Sequence, residues 1–219
     1  MFFPTLKIPW THVALNDLAR VWLTEHHVSE RDANPLLDPT ICQQMVDAYH
    51  QKNTITHSFG GYLENRRELW RGSYLEGTGN YLHLGIDWNA PVGTPVALPV
   101  SGQAFLIDCD TPDRFGWGNR VWFKLSDDNM LIVAHLNPAI ACRAGDTVSP
   151  GQAFASVGTP EHNGGWFSHI HTQLVDGTYF QNVFQRNALT EIDGYGAVDQ
   201  IDTLRALFKN PLSLQSYAS

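Results

Sequence analysis

The spacing of apolar positions changes twice along the chain. Between residues 12 and 27, Leu15, Leu18, Trp22 and Leu23 recur at helical spacing on an otherwise polar segment. Asp38 followed by Pro39 reads as an N-cap and first helical position. Ile41, Met45, Ala48 and Tyr49 then mark a second helix. From about residue 55 to 178 the period shortens. Strand-length apolar runs at 94–100, 104–107, 121–125, 130–134, 153–157 and 169–175 alternate with Gly, Pro, Asn and Asp. Such evenly spaced short runs predict a mainly β, antiparallel sandwich or barrel-like core. Asp127-Asp128-Asn129 is a hairpin turn signal within it. Val198, Ile201, Leu204, Leu207 and Phe208 mark a last helix, stopped before Pro211. The expected organisation is a helical extension at 1–54, a β domain at 55–178, and a C-terminal extension with a helix at 179–219. The helices are expected to pack against the main domain.

A short echo lies inside the β region. Gly93-Thr94-Pro95-Val96 leads to Gly102-Gln103-Ala104-Phe105, and Gly145-Asp146-Thr147-Val148 leads to Gly151-Gln152-Ala153-Phe154. Duplication explains it, and so does the reuse of Gly wherever a tight turn needs positive φ.

Composition narrows the class. The chain has 219 residues, 43% of them hydrophobic and 16% charged, which suits one good core and no disordered or coiled-coil architecture. A net charge of −8 argues against nucleic acid or an anionic membrane as the main partner. Cys42, Cys109 and Cys142 are too few and scattered for a disulfide framework, so free thiols are expected, with one disulfide as the alternative. Met1-Phe2-Phe3-Pro4-Thr5-Leu6-Lys7 lacks the basic and apolar regions of a signal peptide. No stretch reaches the roughly 20 apolar residues of a membrane span. A cytoplasmic location is expected for the chain as given, or a periplasmic or extracellular one if a signal has been removed.

Three strings carry the chemistry: His83-Leu84-Gly85-Ile86-Asp87, Ala134-His135-Leu136 and His169-Ile170-His171. On an extended segment His83 and Asp87 would share one side, because side chains alternate with a period of two. The same arithmetic puts His169 and His171 on one face, a ready chelate. Two imidazoles and one carboxylate make a three-ligand zinc site that keeps a fourth position for water, the layout of a catalytic rather than a structural zinc. Two imidazoles then remain for proton transfer and charge stabilisation. His12, His26, His27, His50 and His57 are expected to be ordinary polar residues, and His162 a loop residue.

From about 58 to 175 the chain resembles the lysostaphin-type peptidases, the M23 family that includes LytM-like cell-wall endopeptidases. The resemblance lies in Ser58-Phe59-Gly60-Gly61, the His83 to Asp87 string, Ala90-Pro91-Val92-Gly93-Thr94-Pro95-Val96, Ala134-His135-Leu136, Gly145-Asp146-Thr147-Val148, Gly151-Gln152 and His169-Ile170-His171, in the family's order. It implies the lysostaphin-type fold, a zinc ion held by His83, Asp87 and His171, and His135 and His169 as catalytic histidines. Asp87 has a competing role as a residue that orients a ligand histidine. No His-Glu-x-x-His helix supplies a glutamate base. A neutral imidazole, with a pKa of roughly 6.5, can serve instead. Either His135 or His169 fits that role. Asn163-Gly164-Gly165-Trp166 is expected beside the cleft, with Trp166 or Phe167 lining it or packing at its edge.

The resemblance implies hydrolysis of peptide bonds in peptidoglycan stem peptides or cross-bridges. Two features depart from it. The family acts outside the cytoplasm, and residues 62–80 form a long segment between the Ser58-Phe59-Gly60 string and His83. Arg66, Arg67 and Arg71 within that segment are expected to pair with nearby acids, or else to bind a substrate carboxylate. The first rival is a cytosolic zinc hydrolase or peptidase with a smaller peptide-like substrate. A binding module without activity would lose some of the five residues, and all five are present. A carrier-type barrel would need a modifiable Lys at a hairpin tip, which neither echoed turn has.

Overall fold

The computed structural model describes residues 2–4, 10–73, 75–110 and 115–217. In chain order the elements are β1 (Thr11–His12), α1 (Leu15–Glu25), α2 (Pro39–Asn53), β2 (Ser58–Gly60), β3 (Asn80–His83), β4 (Ile86–Asn89), β5 (Pro95–Ala97), β6 (Gly102–Asp110), β7 (Gly118–Leu125), β8 (Met130–Leu136), β9 (Thr147–Val148), β10 (Ala153–Ser156), β11 (His169–Val175), α3 (Gly177–Gln185), β12 (Tyr195–Ala197), α4 (Ile201–Leu207) and β13 (Phe208–Lys209). The main sheet runs β1-β2-β4-β11-β8-β7-β6-β9, with β13 paired to β11. Apart from the parallel β1–β2 pair its ladders are antiparallel, so the fold is mainly β with a few helices, as the alternation predicted.

Both faces of the central strands are buried. Ile86, Trp88, Val121, Phe123, Val133 and Ile170 enter one apolar cluster, which Phe2 and Phe3 join. Leu82, Leu84, Trp122, Ile132 and Val175 enter another, closed by Phe180 and Val183 of α3 and Leu204 of α4. A third cluster joins Leu15 and Ala19 of α1, Cys42, Met45 and Val46 of α2, and Leu36, Leu69, Trp70 and Phe167. The helices therefore pack against the β domain.

Local chemistry sets the helix ends. Asp38 accepts from the amides of Thr40 and Ile41, and Pro39 opens α2. The last helix stops earlier than its apolar spacing predicts. Phe208 leaves the helix to pair with Val175, so its backbone serves the sheet instead. Helix α3 falls outside the predicted elements, although Asp176 caps it and Phe180 and Val183 are spaced for one buried face. The two echoed segments are partners in space: β5 pairs with β10 and β6 with β9. The hairpin at Asp127-Asp128-Asn129 joins β7 to β8, with Asp128 at φ 64°. All three cysteines are free. Among the described residues no helix is long and apolar enough to cross a membrane.

Candidate metal centre and active site

His83 and Asp87 do not sit on one extended strand, as their spacing predicted. His83 ends β3, which pairs with β12 in a separate two-stranded sheet, while Asp87 lies in β4 of the main sheet. The chain breaks at Leu84-Gly85, and the two flanking apolar residues separate. Leu84 enters the cluster under α3 and Ile86 enters the main core. Gly85 makes the break possible. A Cβ there would collide with the Thr172 carbonyl and lie 2.5 Å from Cε1 of His171. The donors therefore converge because a kink brings them together, not because of strand period. His169 and His171 do follow strand period on β11, where His171 stands opposite Asp87 on one side and Ala134 on the other.

Three donor atoms meet. Nδ1 of His171 is 2.9 Å from Oδ1 of Asp87, Nε2 of His83 is 3.3 Å from the same oxygen, and the two nitrogens are 3.0 Å apart. Each residue is tied outward by its other heteroatom. Nδ1 of His83 lies 2.9 Å from the Gly61 carbonyl, and Nε2 of His171 lies 3.1 Å from Oε1 of Gln173. Gln173 is itself fixed, because its amide donates to the Asp193 carbonyl at 3.0 Å. Oδ2 of Asp87 pairs with Nη1 of Arg66. Since carbonyl oxygens only accept, each imidazole places its proton outward and its lone pair inward. Two lone pairs and a carboxylate oxygen then face one point, an arrangement that a cation relieves. Ligands 2.0–2.1 Å from a tetrahedral zinc stand about 3.3 Å apart, close to the observed triangle. The residues fit a metal of that size and donor preference.

Electrostatics hold His83 and Asp87 in their metal-binding forms. Burial, with Arg66 nearby, lowers the His83 pKa to about 4. Burial alone would raise the pKa of Asp87, but His83, Arg66 and His169 hold it well below the usual carboxylate range. Neutral imidazoles and an ionised carboxylate are what a metal requires.

His135 reaches this site by an irregularity. Ala134 faces His171 across the ladder, so strict alternation would turn His135 into the main core beside Val133. Instead His135 adopts φ 65°. The register with β7 slips there, with Leu136 opposite Asn119 but Val133 opposite Val121. This bulge re-aims the ring toward the site, a known use of such irregularities. The His135 ring centroid ends 4.5 Å from that of His169 and 6.2 Å from that of His171. A left-handed non-glycine residue costs of order 1–3 kcal/mol, and such strain clusters at functional sites. Nδ1 of His135 lies 2.7 Å from the Asn163 carbonyl, and Nδ1 of His169 lies 2.9 Å from the Phe167 carbonyl. In both rings Nε2 carries the free lone pair. Burial lowers both pKa values, that of His135 further, because His169 and His171 disfavour its charge. Nε2 of His169 is 3.8 Å from Oδ1 of Asp87.

All five residues line one cavity of about 60 Å³. Trp166 and Phe167 line it too, and Phe167 stacks on His169 with centroids 4.5 Å apart. Leu15, Leu36, Leu69 and Trp70 complete it, so α1, the turn at Pro35–Leu37 and the 62–80 segment cover the site. Arg66 pairs with Asp87 and Glu64, and Arg71 with Glu68. His50 is bonded to Ser58, and His162 packs in its loop against Thr159. Sequence reasoning missed Gln173, Trp117, Asp193 and Tyr195. Only Gln173 had a signal, standing two residues beyond His171 on the same strand face.

The model of peptidase family M23 matches residues 81–182, a span that includes all five residues. No match is found among curated proteins. Among solved structures, a mutant of the catalytic domain of the prophage-encoded M23 protein EnpA from Enterococcus faecalis is 28% identical, covering 44% of this chain and 69% of that one, with a TM-score of 0.38. The catalytic domain of the antimicrobial peptidase lysostaphin from Staphylococcus simulans is 20% identical, covering 57% of this chain and 80% of that one, with a TM-score of 0.40. A zinc-containing peptidase from Vibrio cholerae is 23% identical with a TM-score of 0.37; 43% of this chain is covered, and only 27% of that one. Over 81–182, a little under half of the chain and the stretch that carries all five residues, the sequence is similar to peptidase family M23.

Proposed function

We propose that the chain is a zinc-dependent metalloendopeptidase that hydrolyses peptide bonds in peptidoglycan stem peptides or cross-bridges. In this reading His83, Asp87 and His171 hold the metal, and His135 and His169 are catalytic. The observation that supports it most is the meeting of three donor atoms whose other heteroatoms are all tied outward. A zinc ion held there would polarise the scissile carbonyl and lower the pKa of a bound water toward about 7. The chain's own residues supply the proton chemistry. His169 stands beside the donor triangle with Nε2 free, so it takes the proton of the attacking water there and returns it to the leaving amine. His135, with Nδ1–H kept on the Asn163 carbonyl, would take up a solvent proton at Nε2 as charge develops on the carbonyl oxygen, donate it as a hydrogen bond to that oxygen, and release it to solvent when the carbonyl re-forms. Cavity walls of Trp70, Trp166 and Phe167 exclude bulk water, which strengthens each of these interactions. The peptidoglycan substrate follows from the family resemblance of the motif strings.

A second reading, a smaller peptide-like substrate, draws support from the cover over the site. A cavity of about 60 Å³ under Leu15, Leu36, Leu69 and Trp70 has room for little more than one side chain. One experiment separates the two. Zinc-loaded protein is incubated with peptidoglycan fragments, Gly-rich peptides and di- and tripeptides, and products are identified by mass spectrometry against His135→Ala. Cleavage of the polymeric substrates alone supports the first reading, and cleavage of the short peptides alone supports the second. Turnover undiminished in His135→Ala would remove both.

A further inference from the structure

Arg66 comes from the 62–80 segment and is 2% exposed. Its Nη1 pairs with Oδ2 of Asp87, its Nε lies 3.1 Å from Oε2 of Glu64, and Tyr195 Oη lies 3.4 Å from Nη1. Nη2 is buried and has no hydrogen-bond partner among the described residues. The space it fills is cut out of β2. A Cβ on Gly60 would fall 2.5 Å from Nη2 and 3.7 Å from the Asp87 Cβ. Gly60 is the register partner of Asp87, so the strand that flanks the carboxylate has given up a side chain to admit the guanidinium.

This is a costly way to fill space. A buried ion pair contributes little to stability beside well-packed apolar residues of the same volume. A buried donor left unpaired costs about 1–3 kcal/mol, and more when charged. Both acids that face the guanidinium already hold it, so it is not offered to a substrate carboxylate. Its effect falls on Asp87. A carboxylate can bind a metal through one oxygen or two, and a guanidinium on Oδ2 removes the second. We infer that Arg66 is a positioning residue of the metal centre: by gripping Oδ2 of Asp87 it restricts that ligand to Oδ1 and keeps a coordination position open for water. A catalytic zinc needs that open position. The guanidinium also offsets the carboxylate's charge, which leaves a bound metal the stronger Lewis acid. The inference rests on the metal reading of the site given above.

The test uses the full chain with Arg66→Gln, Arg66→Lys and Gly60→Ala, each checked for fold by circular dichroism. Metal-free protein is titrated with Zn²⁺ against a competing chelator and, separately, with Co²⁺, whose visible absorption weakens when a four-coordinate site becomes five-coordinate. The wild-type chain should bind one metal ion with the intense four-coordinate spectrum. Arg66→Gln should bind one ion with a weakened spectrum and a zinc affinity shifted by about 10-fold or more. Gly60→Ala keeps the arginine but displaces it, and should give the same spectral change. Combined with Arg66→Gln it should add nothing further, because the two changes act on one contact. Arg66→Lys should recover part of the four-coordinate absorption. If Arg66→Gln does not fold, Gly60→Ala and Arg66→Lys carry the test. Folded variants with wild-type zinc affinity and unchanged cobalt spectra would overturn the inference and leave the metal reading intact. Absence of metal binding by the wild-type chain would overturn the metal reading itself.

Discussion

The floor and the roof of the cavity are built by different rules. The floor is His83, Asp87, His135, His169 and His171, all buried on strands of the sheets, each with a polar partner. The roof is Leu15, Leu36, Leu69 and Trp70, apolar side chains of the cluster that joins α1 and α2 to the β domain. Floor residues are placed by ladder register to within a residue. Roof residues are placed by how α1, the turn at Pro35–Leu37 and the segment carrying Leu69 and Trp70 pack over the site. Chemistry and cover are therefore separable, and substitutions in one should leave the other's readout unmoved.

The largest effect is expected in the floor. His171→Ala or Asp87→Ala should abolish stoichiometric zinc binding, read by titration of the metal-free chain. Zinc retained by His171→Ala would show that the ligand assignment is wrong. His135→Ala and His169→Ala should keep the metal and lose on the order of 10²-fold in kcat. That split between metal content and turnover divides the floor into holding and reacting residues. Loss of zinc in His135→Ala would erase the division.

The roof counterpart is Leu36→Ala. Leu36 is 2% exposed, so its truncation should cost roughly 2–5 kcal/mol in chemical unfolding. Zinc affinity should stay at the wild-type value, and larger peptides should gain relative to small ones. A fall in metal affinity equal to that of a floor variant would show that the two parts are coupled.

Acid should attack the floor first. In the unfolded chain the histidines protonate near their ordinary value of about 6.5. In the folded, metal-free chain, burial holds His83 down to about 4 and keeps His135 and His169 lowered as well. Between those values the unfolded state binds more protons than the folded state. Stability is thus fully present above about pH 6.5 and falls as the pH drops toward about 4. Thermal melts of the metal-free chain across that window should show Tm falling, and less steeply for His83→Gln. A flat Tm would mean that these rings are hydrated in the metal-free protein.

Much of the floor was legible because strand period is a local property. His169 and His171 share a face for that reason, and the β runs were marked by their punctuation of Gly, Pro and Asn. Two floor placements were not legible. The kink at Leu84-Gly85 depends on the Thr172 carbonyl, 87 residues away, and the bulge at His135 depends on slipped register with β7. Motif strings identified both residues without indicating how they arrive. Arg66 was hidden for a similar reason: nothing near it in the chain marks Asp87 as its partner. The roof was the least legible part. Leu15 and Leu18 show that a helix has an apolar face, but not that this face ends over histidines.

The smallest effect tests the separation most finely. Asp38 caps α2 by accepting from Thr40 and Ile41, and it follows the turn at Pro35–Leu37 that places Leu36 in the roof. Asp38→Ala removes those acceptors and should cost about 1 kcal/mol. The loss begins at the first turn of α2, so hydrogen exchange should quicken there and in the turn carrying Leu36. The amides of β4, β8 and β11 draw their protection from ladders that Asp38 does not touch, and should exchange as before. Zinc affinity should be unchanged, while turnover of longer peptides should rise slightly as the roof opens more often. Equal acceleration in the floor strands would mean that helices and sheet open as one cooperative unit, and that the roof is part of the scaffold that holds the metal.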